Sequence, residues 1–296
     1  MFQNEHISGI AGDQKQFKFC HTLPKESMFT GLLIIVCLYV FHLENPGVLF
    51  KPLFFFSIIG LVLFRGIKVH GILLWGMVSL FFTQLLISKY YVVANHHFVI
   101  TFMSWSVWWY FLYPSQNKER LGFHFSIMMG LVLFFSAVHK FISPEFRSGS
   151  FFLHEMNLGY FLKPFKMLIP EWKQAAESNK QLFIEMMKTP PDAQQNVNMK
   201  NVVSGAPKIA LWGSYFAIGM ELVATLALWI RPASKGTHCI FVITILSIFL
   251  LRQETGFLAL LTLMAFYLSP GKIFNGIYML LLTVFATFIA THWGFH

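Results

Sequence analysis

Lys140 is the first side chain whose type and position suggest chemistry, because it ends a long apolar stretch and is followed by Phe141-Ile142. An ammonium inside a helical bundle is desolvated, which favours the neutral amine, and a neutral amine can act as a general base. The alternative is a lysine whose stem lies along apolar surface while its charge reaches the interface. His139 points about 100° away from Lys140 on a helix, so the two side chains need not share a site.

Two further groups of polar residues lie at the ends of apolar stretches. Asn95, His96 and His97 begin one of them. Adjacent side chains diverge on a helix, so we expect at most one of the two histidines to face a given pocket. Arg252 and Glu254 separate two other stretches, where they belong either to a site or to a charged turn exposed to solvent. The alternative for the histidines is a polar helix start at the membrane interface.

Three further ionisable residues could take part in chemistry: Glu221, His292 and His296. Glu221 lies in the inner half of an apolar stretch, where a carboxyl should be protonated or paired, and either a proton relay or hydrogen bonding between helices would explain it. His292 and His296 have the i,i+4 spacing of a metal pair, but the chain offers no evident carboxylate partner for them. We therefore predict no metal site.

The composition shows what must position these residues. Of 296 residues, 56% are hydrophobic and 12% are charged, against about 25% charged residues in ordinary soluble domains. This excludes a soluble globular enzyme and predicts an all-α, polytopic helical membrane protein with about eight or nine transmembrane helices. The apolar stretches that could cross are residues 28–43, 48–64, 70–92, 97–114, 121–142, 209–230, 236–252, 255–268 and 274–294.

The charge pattern divides the chain into four parts. Residues 1–27 form an N-terminal segment, 28–142 a first bundle of about five helices, and 209–296 a second bundle of about four. Between the bundles, 143–208 is the only sizeable water-exposed region, with interfacial helices expected from Phe151 to Trp172 and a loop over 189–206. We expect this region to be the place where a protein or peptide partner would dock.

The basic residues also indicate orientation. The net charge is +9, but the basic residues lie singly between apolar stretches, which does not favour nucleic-acid binding. Short loops on the N-terminal side carry more Lys and Arg than those opposite, which predicts a multi-pass protein with a cytoplasmic N-terminus and an extracytoplasmic 143–208 segment. This orientation brings the candidate polar residues to the outer face, namely Asn95, His96, His97, His139, Lys140, Arg252 and Glu254.

Several of these motifs resemble a known family. The segment 134–149, FFSAVHKFISPEFRSG, is similar to a stretch of the vitamin K-dependent γ-carboxylase-like membrane proteins, which include the bacterial HTTM branch. Asn95-His96 resembles the Asn-His at the start of a helix in that family. Glu221-Leu222, Arg231-Pro232 and the stretch from Arg252 to Phe257 resemble a later helix pair. The resemblance covers roughly 70–270, the membrane core.

The resemblance implies chemistry on a reduced quinone. Lys140 would be the base that deprotonates a vitamin K-like hydroquinone, His96 would assist it, and the activity would be of the lyase or oxygenase type. Asn95, His97, His139, Arg252 and Glu254 are the candidate substrate-binding residues. The alternative is a non-catalytic HTTM- or DoxX-like accessory or transport component in the lipid bilayer, whose 143–208 segment binds a protein partner.

Overall fold

The computed structural model consists of helices wherever it describes the chain. No strand occurs among these residues, so the all-helical fold class is confirmed for them. The predicted stretch 48–64 lies mostly outside the described residues, as do His292, His296 and nearly all of the N-terminal segment 1–27. The described residues are 26–42, 52, 54–56, 58–59, 68–89, 95–113, 117–160, 168–188, 199–252 and 254–291.

Most helices coincide with the predicted apolar stretches, with ends shifted by a few residues. Three additional helices lie in the 143–208 segment. In chain order the helices are α1 (Glu26–His42), α2 (Lys68–Lys89), α3 (Asn95–Leu112), α4 (Asn117–Ile142), α5 (Pro144–Arg147), α6 (Ser150–Asn157), α7 (Pro170–Lys188), α8 (Ala206–Ile230), α9 (Lys235–Arg252), α10 (Thr255–Leu268) and α11 (Lys272–Ala290).

Four of the described helices are long and apolar enough to cross a membrane. They are Gly71–Ser88 within α2, Glu119–Ile142 within α4, Ala206–Ile230 (α8) and Lys272–Ala290 (α11). Helices α1, α9 and α10 contain shorter apolar runs. Length and composition therefore support four crossings, and the larger count of eight or nine stays a prediction.

Helix α10 forms the centre of the bundle. All 14 of its residues are buried, and it contacts α1, α3, α4, α9 and α11. A helix that is apolar on every side is stable only when other helices cover it. At about 1.5 Å per residue it is about 21 Å long, shorter than the roughly 30 Å of a hydrocarbon core. Its position explains why so short an apolar stretch forms a helix.

Helices α4 and α8 pack against each other in antiparallel directions. The hydroxyl of Ser126 donates to the Leu228 carbonyl at 3.1 Å, and further along α4 the Thr225 hydroxyl donates to the Gly130 carbonyl at 3.4 Å. The indole of Trp229 occupies the space where a side chain at Gly130 would lie. Because Gly130 has no side chain, the two helices can approach closely along their length.

The 143–208 segment packs onto the first turns of α8. Phe152, Met156 and Trp172 form a buried apolar cluster with Ala206 and Ala210 of that helix. Helix α8 begins at Ala206, three residues before the predicted second bundle at 209. The predicted interfacial stretch from Phe151 to Trp172 corresponds to α6 and the first turn of α7, with 161–167 outside the described residues.

The buried side chain of Asn179 links different parts of this segment by hydrogen bonds. Its amide nitrogen donates to the carbonyls of Asn157, at 3.0 Å, and Lys200, at 2.8 Å, while its oxygen accepts from the Lys200 amide at 2.9 Å. These bonds join α7 to the end of α6 and to the chain before α8. The segment is thus a packed unit rather than a loop, at least over 143–160, 168–188 and 199–208.

The helix directions bring the ends of several helices together. Phe29 lies against Tyr110 and Tyr39 against His96, so α1 and α3 are antiparallel. Trp105 of α3 donates to Thr83 near the end of α2, at 2.8 Å. The ends of α1, α2, α4 and α9 and the starts of α3 and α10 therefore lie toward one end of the bundle. We call it the polar end, and it carries Tyr39, His96, His97, Lys140 and Glu254.

Candidate functional site

A buried ion pair lies at the polar end between α4 and α8. The Lys140 ammonium donates to both carboxylate oxygens of Glu221, at 2.5 and 2.7 Å, and to the Ser136 hydroxyl at 2.6 Å. The Ser136 hydroxyl in turn donates to Glu221 at 3.2 Å. Only 10% of the Lys140 side chain and 6% of the Glu221 side chain are exposed. The three N–H donors of the ammonium thus all have acceptors.

Helix geometry builds this cluster. Ser136 and Lys140 are four residues apart, so they lie on the same face of α4. Glu221 faces them from α8, where Thr225 donates to its backbone carbonyl at 2.8 Å. The sequence placed Lys140 at the outer face and Glu221 in the inner half of its stretch, but the structure brings the two side chains into direct contact. Helix α8 begins alongside α6, beyond the end of α4, so its middle is level with the last turns of α4.

The pair is strongly coupled because it is buried. Removing two charges from water costs several kcal/mol per ion, and only close geometry and additional hydrogen bonds offset that penalty. Ser136 supplies such a bond here. Glu254, which is half-buried at the start of α10, is close enough to interact electrostatically with the Glu221 carboxylate. The hydrogen-bonded cluster therefore joins α4 to α8, and the Glu254 carboxylate lies near enough to repel that of Glu221.

Tyr39, His96 and His97 form a second polar cluster. The Tyr39 hydroxyl is 2.7 Å from Nε2 of His96 and 2.5 Å from Nε2 of His97. The two imidazoles stack with centroids 4.6 Å apart. Tyr39 and His96 are buried. The expectation that only one of two adjacent histidines could face a given group is wrong, because at the helix start both rings turn toward the hydroxyl of α1.

The other predicted site residues occupy different positions. His139 is exposed on the outside of α4, next to Lys140 in sequence but on another side of the helix. Asn95 is the first residue of α3 and Arg252 the last of α9, and their side chains lie outside the described part. Lys140 makes its hydrogen bonds to Ser136 and Glu221 and none to His96 within the described chain. The polar end therefore holds two clusters rather than one converging site.

Two members of these clusters escaped the sequence analysis. Ser136 could have been found from its i−4 relation to Lys140, since a hydroxyl one turn away on an apolar helix is an available partner. Tyr39 gave no comparable signal, because a tyrosine in the last turn of an apolar helix is typical of a membrane interface. Its pairing with the histidines depends on how α1 packs against α3.

Neither a metal centre among the described residues nor a known relative identifies the function of the site. Within the residues that the structure describes, no three His, Cys, Asp or Glu side chains are grouped closely enough to hold a metal ion. Comparison of the chain with models of known protein families, with curated proteins and with solved structures finds no match.

The arrangement can hold and move protons. A lysine and a carboxylate in direct contact in a low-dielectric site can exist as an ion pair or, after one proton moves along the hydrogen bond, as a neutral amine and acid. The Tyr39 cluster offers a hydroxyl and two imidazoles, which can each donate or accept. Such groups can form hydrogen bonds to the polar part of a ligand.

Proposed function

We propose that the chain is an integral, multi-pass membrane protein with its N-terminus in the cytoplasm and its polar end outside. The support comes from α8, whose polar residues Ser214, Glu221 and Thr225 are buried. Its opposite face is an exposed apolar stripe along the whole helix, which is the distribution expected of a helix facing lipid. The stripe consists of Trp212, Tyr215, Phe216, Val223, Leu226 and Ile230.

We further propose that the polar end is the active site of an enzyme that uses a reduced quinone, in the manner that the γ-carboxylase-like resemblance suggests. The observation that carries this proposal is the buried Lys140–Glu221 pair with Ser136. A buried, fully hydrogen-bonded ionisable pair inside a membrane helix is expensive, and such groups are typical of functional sites.

The pair supplies the base. When the shared proton moves from Lys140 to Glu221, the amine becomes neutral and could take the proton of a bound hydroxyl. Lys140 would then be an ammonium beside a protonated Glu221, so the pair would have gained one proton. The ammonium would stabilise negative charge on the ligand oxygen electrostatically. Glu254 offers the next carboxylate through which the proton can leave.

The Tyr39 cluster provides the second set of contacts. His96 and His97 share the Tyr39 hydroxyl, and any ligand that reaches the start of α3 meets imidazoles held in fixed orientations. In this proposal His96 assists by hydrogen bonding a ligand oxygen rather than by contacting Lys140 directly. Asn95, His97 and Arg252 lie at the same end and remain the candidates for further ligand contacts.

Ligand binding to purified protein tests the proposal. We expect menadiol, a soluble naphthohydroquinone, to raise the midpoint of thermal unfolding of the wild-type protein in detergent. Lys140→Met should abolish this effect, because it removes the base and leaves the Glu221 carboxyl without its partner. Lys208→Met is the matched control, since Lys208 is exposed in the first turn of α8. A full menadiol effect in Lys140→Met would disprove the assignment.

A second candidate function has its own observation. Helix α7 exposes Leu182, Ile184 and Met187, three apolar side chains in a segment whose other exposed residues are mostly polar. Exposed apolar groups outside the membrane core are typical of protein contacts. We propose as the alternative that the chain is an accessory membrane protein whose α7 binds a protein partner.

Co-purification distinguishes the alternative. If it holds, the wild-type chain brings down one partner in a fixed ratio, and changing Leu182, Ile184 and Met187 together to Ser releases that partner. Changing Gln174, Ser178 and Gln181 to Ala alters an equally exposed, polar part of α7 and should leave the complex intact. A wild-type chain that is monomeric and binds menadiol alone contradicts the accessory function.

A further inference from the structure

The Tyr39 hydroxyl connects two imidazoles that belong to consecutive residues of α3. Its oxygen lies 2.7 Å from Nε2 of His96 and 2.5 Å from Nε2 of His97, with Nδ1 of His97 further away at 3.1 Å. A hydroxyl carries one proton and two lone pairs, so it can donate to only one of the two rings. When it does so, the other ring must donate its own N–H to the hydroxyl oxygen. The two imidazoles and the hydroxyl then form a continuous chain of hydrogen bonds that all run in one direction.

The two imidazoles differ in their access to water. His96 is 9% exposed and Tyr39 is 5% exposed, whereas His97 is half-buried in the first turn of α3. The rings stack with centroids 4.6 Å apart, and at that separation a charge on one ring disfavours a charge on the other. The pair can therefore hold one extra proton at a time, and a proton from water meets His97 before it meets His96.

We propose that His97, Tyr39 and His96 form a proton relay that connects the aqueous side of the polar end with the interior of the bundle. His97 exchanges protons with water, Tyr39 transfers them, and His96 presents them inside. The group that His96 serves is the ligand oxygen of the proposed function, so the use of the relay rests on that function. The relay itself depends only on the three side chains and is measurable without a ligand.

The passage of one proton leaves every group intact. At the start, His97 donates from Nε2 to Tyr39, and Tyr39 donates to Nε2 of His96, whose neutral ring then carries its proton on Nδ1. A proton from water binds Nδ1 of His97. The Nε2 proton of His97 moves to the Tyr39 oxygen while the hydroxyl proton moves to Nε2 of His96. Tyr39 therefore stays neutral, and the positive charge moves from His97 to His96.

The same passage reverses the direction of the chain. His96 becomes neutral again when its Nδ1 proton passes to an acceptor, and its remaining proton on Nε2 is donated to Tyr39. The new hydroxyl proton of Tyr39 is in turn donated to His97. The next proton must then move outward, from His96 to His97. The relay thus delivers one proton and takes one back, which suits a group that is protonated and deprotonated once in each turnover.

Exchange of imidazole protons with water tests the relay. In protein whose histidines carry heavy nitrogen, NMR with magnetisation transfer from water measures how fast the His96 ring N–H exchanges, and the signal missing from His96→Gln identifies that ring. We expect Tyr39→Phe to slow this exchange about tenfold or more, because the proton can then leave only when the helices open locally. Tyr215→Phe is the matched control, since Tyr215 is exposed on α8. It should leave the His96 rate unchanged.

A purely structural role of Tyr39 gives the opposite sign. If Tyr39 only stabilised the start of α3, Tyr39→Phe would loosen the packing there and speed the exchange of the His96 proton. Unchanged or faster exchange in Tyr39→Phe would therefore overturn the relay.

A second variant tests the outer end of the relay. His97→Phe keeps an aromatic ring beside His96 and should slow its exchange to a similar extent. An unchanged rate in this variant would show that the proton bypasses His97, which would also overturn the relay. Slower exchange in both Tyr39→Phe and His97→Phe, together with no menadiol binding to the wild type, would establish the relay and remove only the proposed function.

Discussion

At the scale of single residues, the Lys140–Glu221 pair changes what a buried lysine means in this chain. Sequence reasoning offered either a neutral base or a lysine extending to the interface. The structure presents a third arrangement, in which the ammonium is retained inside the bundle by a carboxylate and a hydroxyl. Loss of one partner leaves the other charged and buried, so the two residues should depend strongly on each other.

A double-mutant cycle measures that dependence. Lys140→Met and Glu221→Leu should each lower the free energy of unfolding by about 3–5 kcal/mol, because each leaves an uncompensated buried group. The double variant should lie close to the wild type, since it removes both charges and fills the space with apolar atoms. Reversible unfolding in mixed micelles gives these free energies. Additive losses in the double variant would contradict the pairing.

Removal of the Tyr39 hydroxyl gives a second prediction about stability. Tyr39→Phe keeps the ring but removes the hydroxyl that both histidines contact, so the buried His96 ring and the half-buried His97 ring lose that partner. We expect the free energy of unfolding to fall by about 1–3 kcal/mol. Tyr215→Phe is the matched control, because Tyr215 is 50% exposed on α8 and should lose no stability. Equal behaviour of the two variants would show that the cluster contributes nothing to folding.

At the level of helices, the sequence pattern predicted where the helices lie but not which side chains meet when the helices pack. The apolar stretches gave the positions of α3, α4, α8 and α10 to within a few residues, because a run of apolar side chains bounded by polar ones has few other stable forms. The partner of Lys140 was not predictable in this way. The contact between Lys140 and Glu221 depends on how far α4 and α8 are displaced along each other. That displacement depends on the chain through α5 and α6 and on the residue at which α8 begins.

In the Tyr39 cluster, too, the sequence predicted the local structure but not the contacts between helices. Asn95 was identified as the start of a helix, and α3 does begin there. The sequence could not show that His96 and His97 both turn toward α1, because no pattern in 28–43 specifies which of its residues faces α3. Contacts between residues that are distant in sequence follow from the whole packing arrangement, and they decide which polar residues form one site.

Two glycines with positive φ, one of them at the junction of α5 and α6, give a prediction about how α6 packs on α8. Gly149 has φ +75°, and a Cβ there would lie 2.7 Å from the Leu211 backbone of α8. Gly205 has φ +78° with nothing within 4 Å. Both Gly→Ala changes add the strain of a left-handed backbone, about 1–2 kcal/mol, but only Gly149→Ala also forces α6 away from α8. It should destabilise more than Gly205→Ala in thermal unfolding, and equal losses would show that backbone strain alone matters at both positions.

At the scale of the whole molecule, the surroundings of the polar end decide how a ligand could reach it. The polar end holds both candidate clusters, together with the packed 143–208 segment. The exposed apolar stripe of α8 lies on the side opposite Glu221, so the proposed lipid contact and the proposed polar chemistry use opposite sides of the same helix. A ligand of the polar end would therefore meet charged groups only after passing between helices or through the segment above them. The orientation of the bundle decides which aqueous compartment supplies it.

The orientation is tested by labelling cysteines placed at the two ends of α4. With 26 residues, α4 is about 39 Å long, longer than the roughly 30 Å hydrocarbon core, so if α4 crosses the membrane we expect positions near its two ends to lie in opposite aqueous phases. Arg120 and Ser148 are both exposed. In a chain whose native Cys20, Cys37 and Cys239 are replaced by Ala, we expect Ser148→Cys to react with a membrane-impermeant maleimide on intact cells.

Arg120→Cys should react only after the membrane is permeabilised, because the excess of Lys and Arg in the short loops at that end predicts that it faces the cytoplasm. The reverse pattern would place the polar end, and with it Lys140, His96 and Glu254, on the cytoplasmic side, and the hydroquinone would then have to come from there. Labelling of both positions from the same side would instead contradict α4 as a membrane-crossing helix. The Lys140–Glu221 pair would then be a buried ion pair of a bundle lying outside the bilayer, where the high cost of charges in lipid does not apply and does not favour a catalytic role.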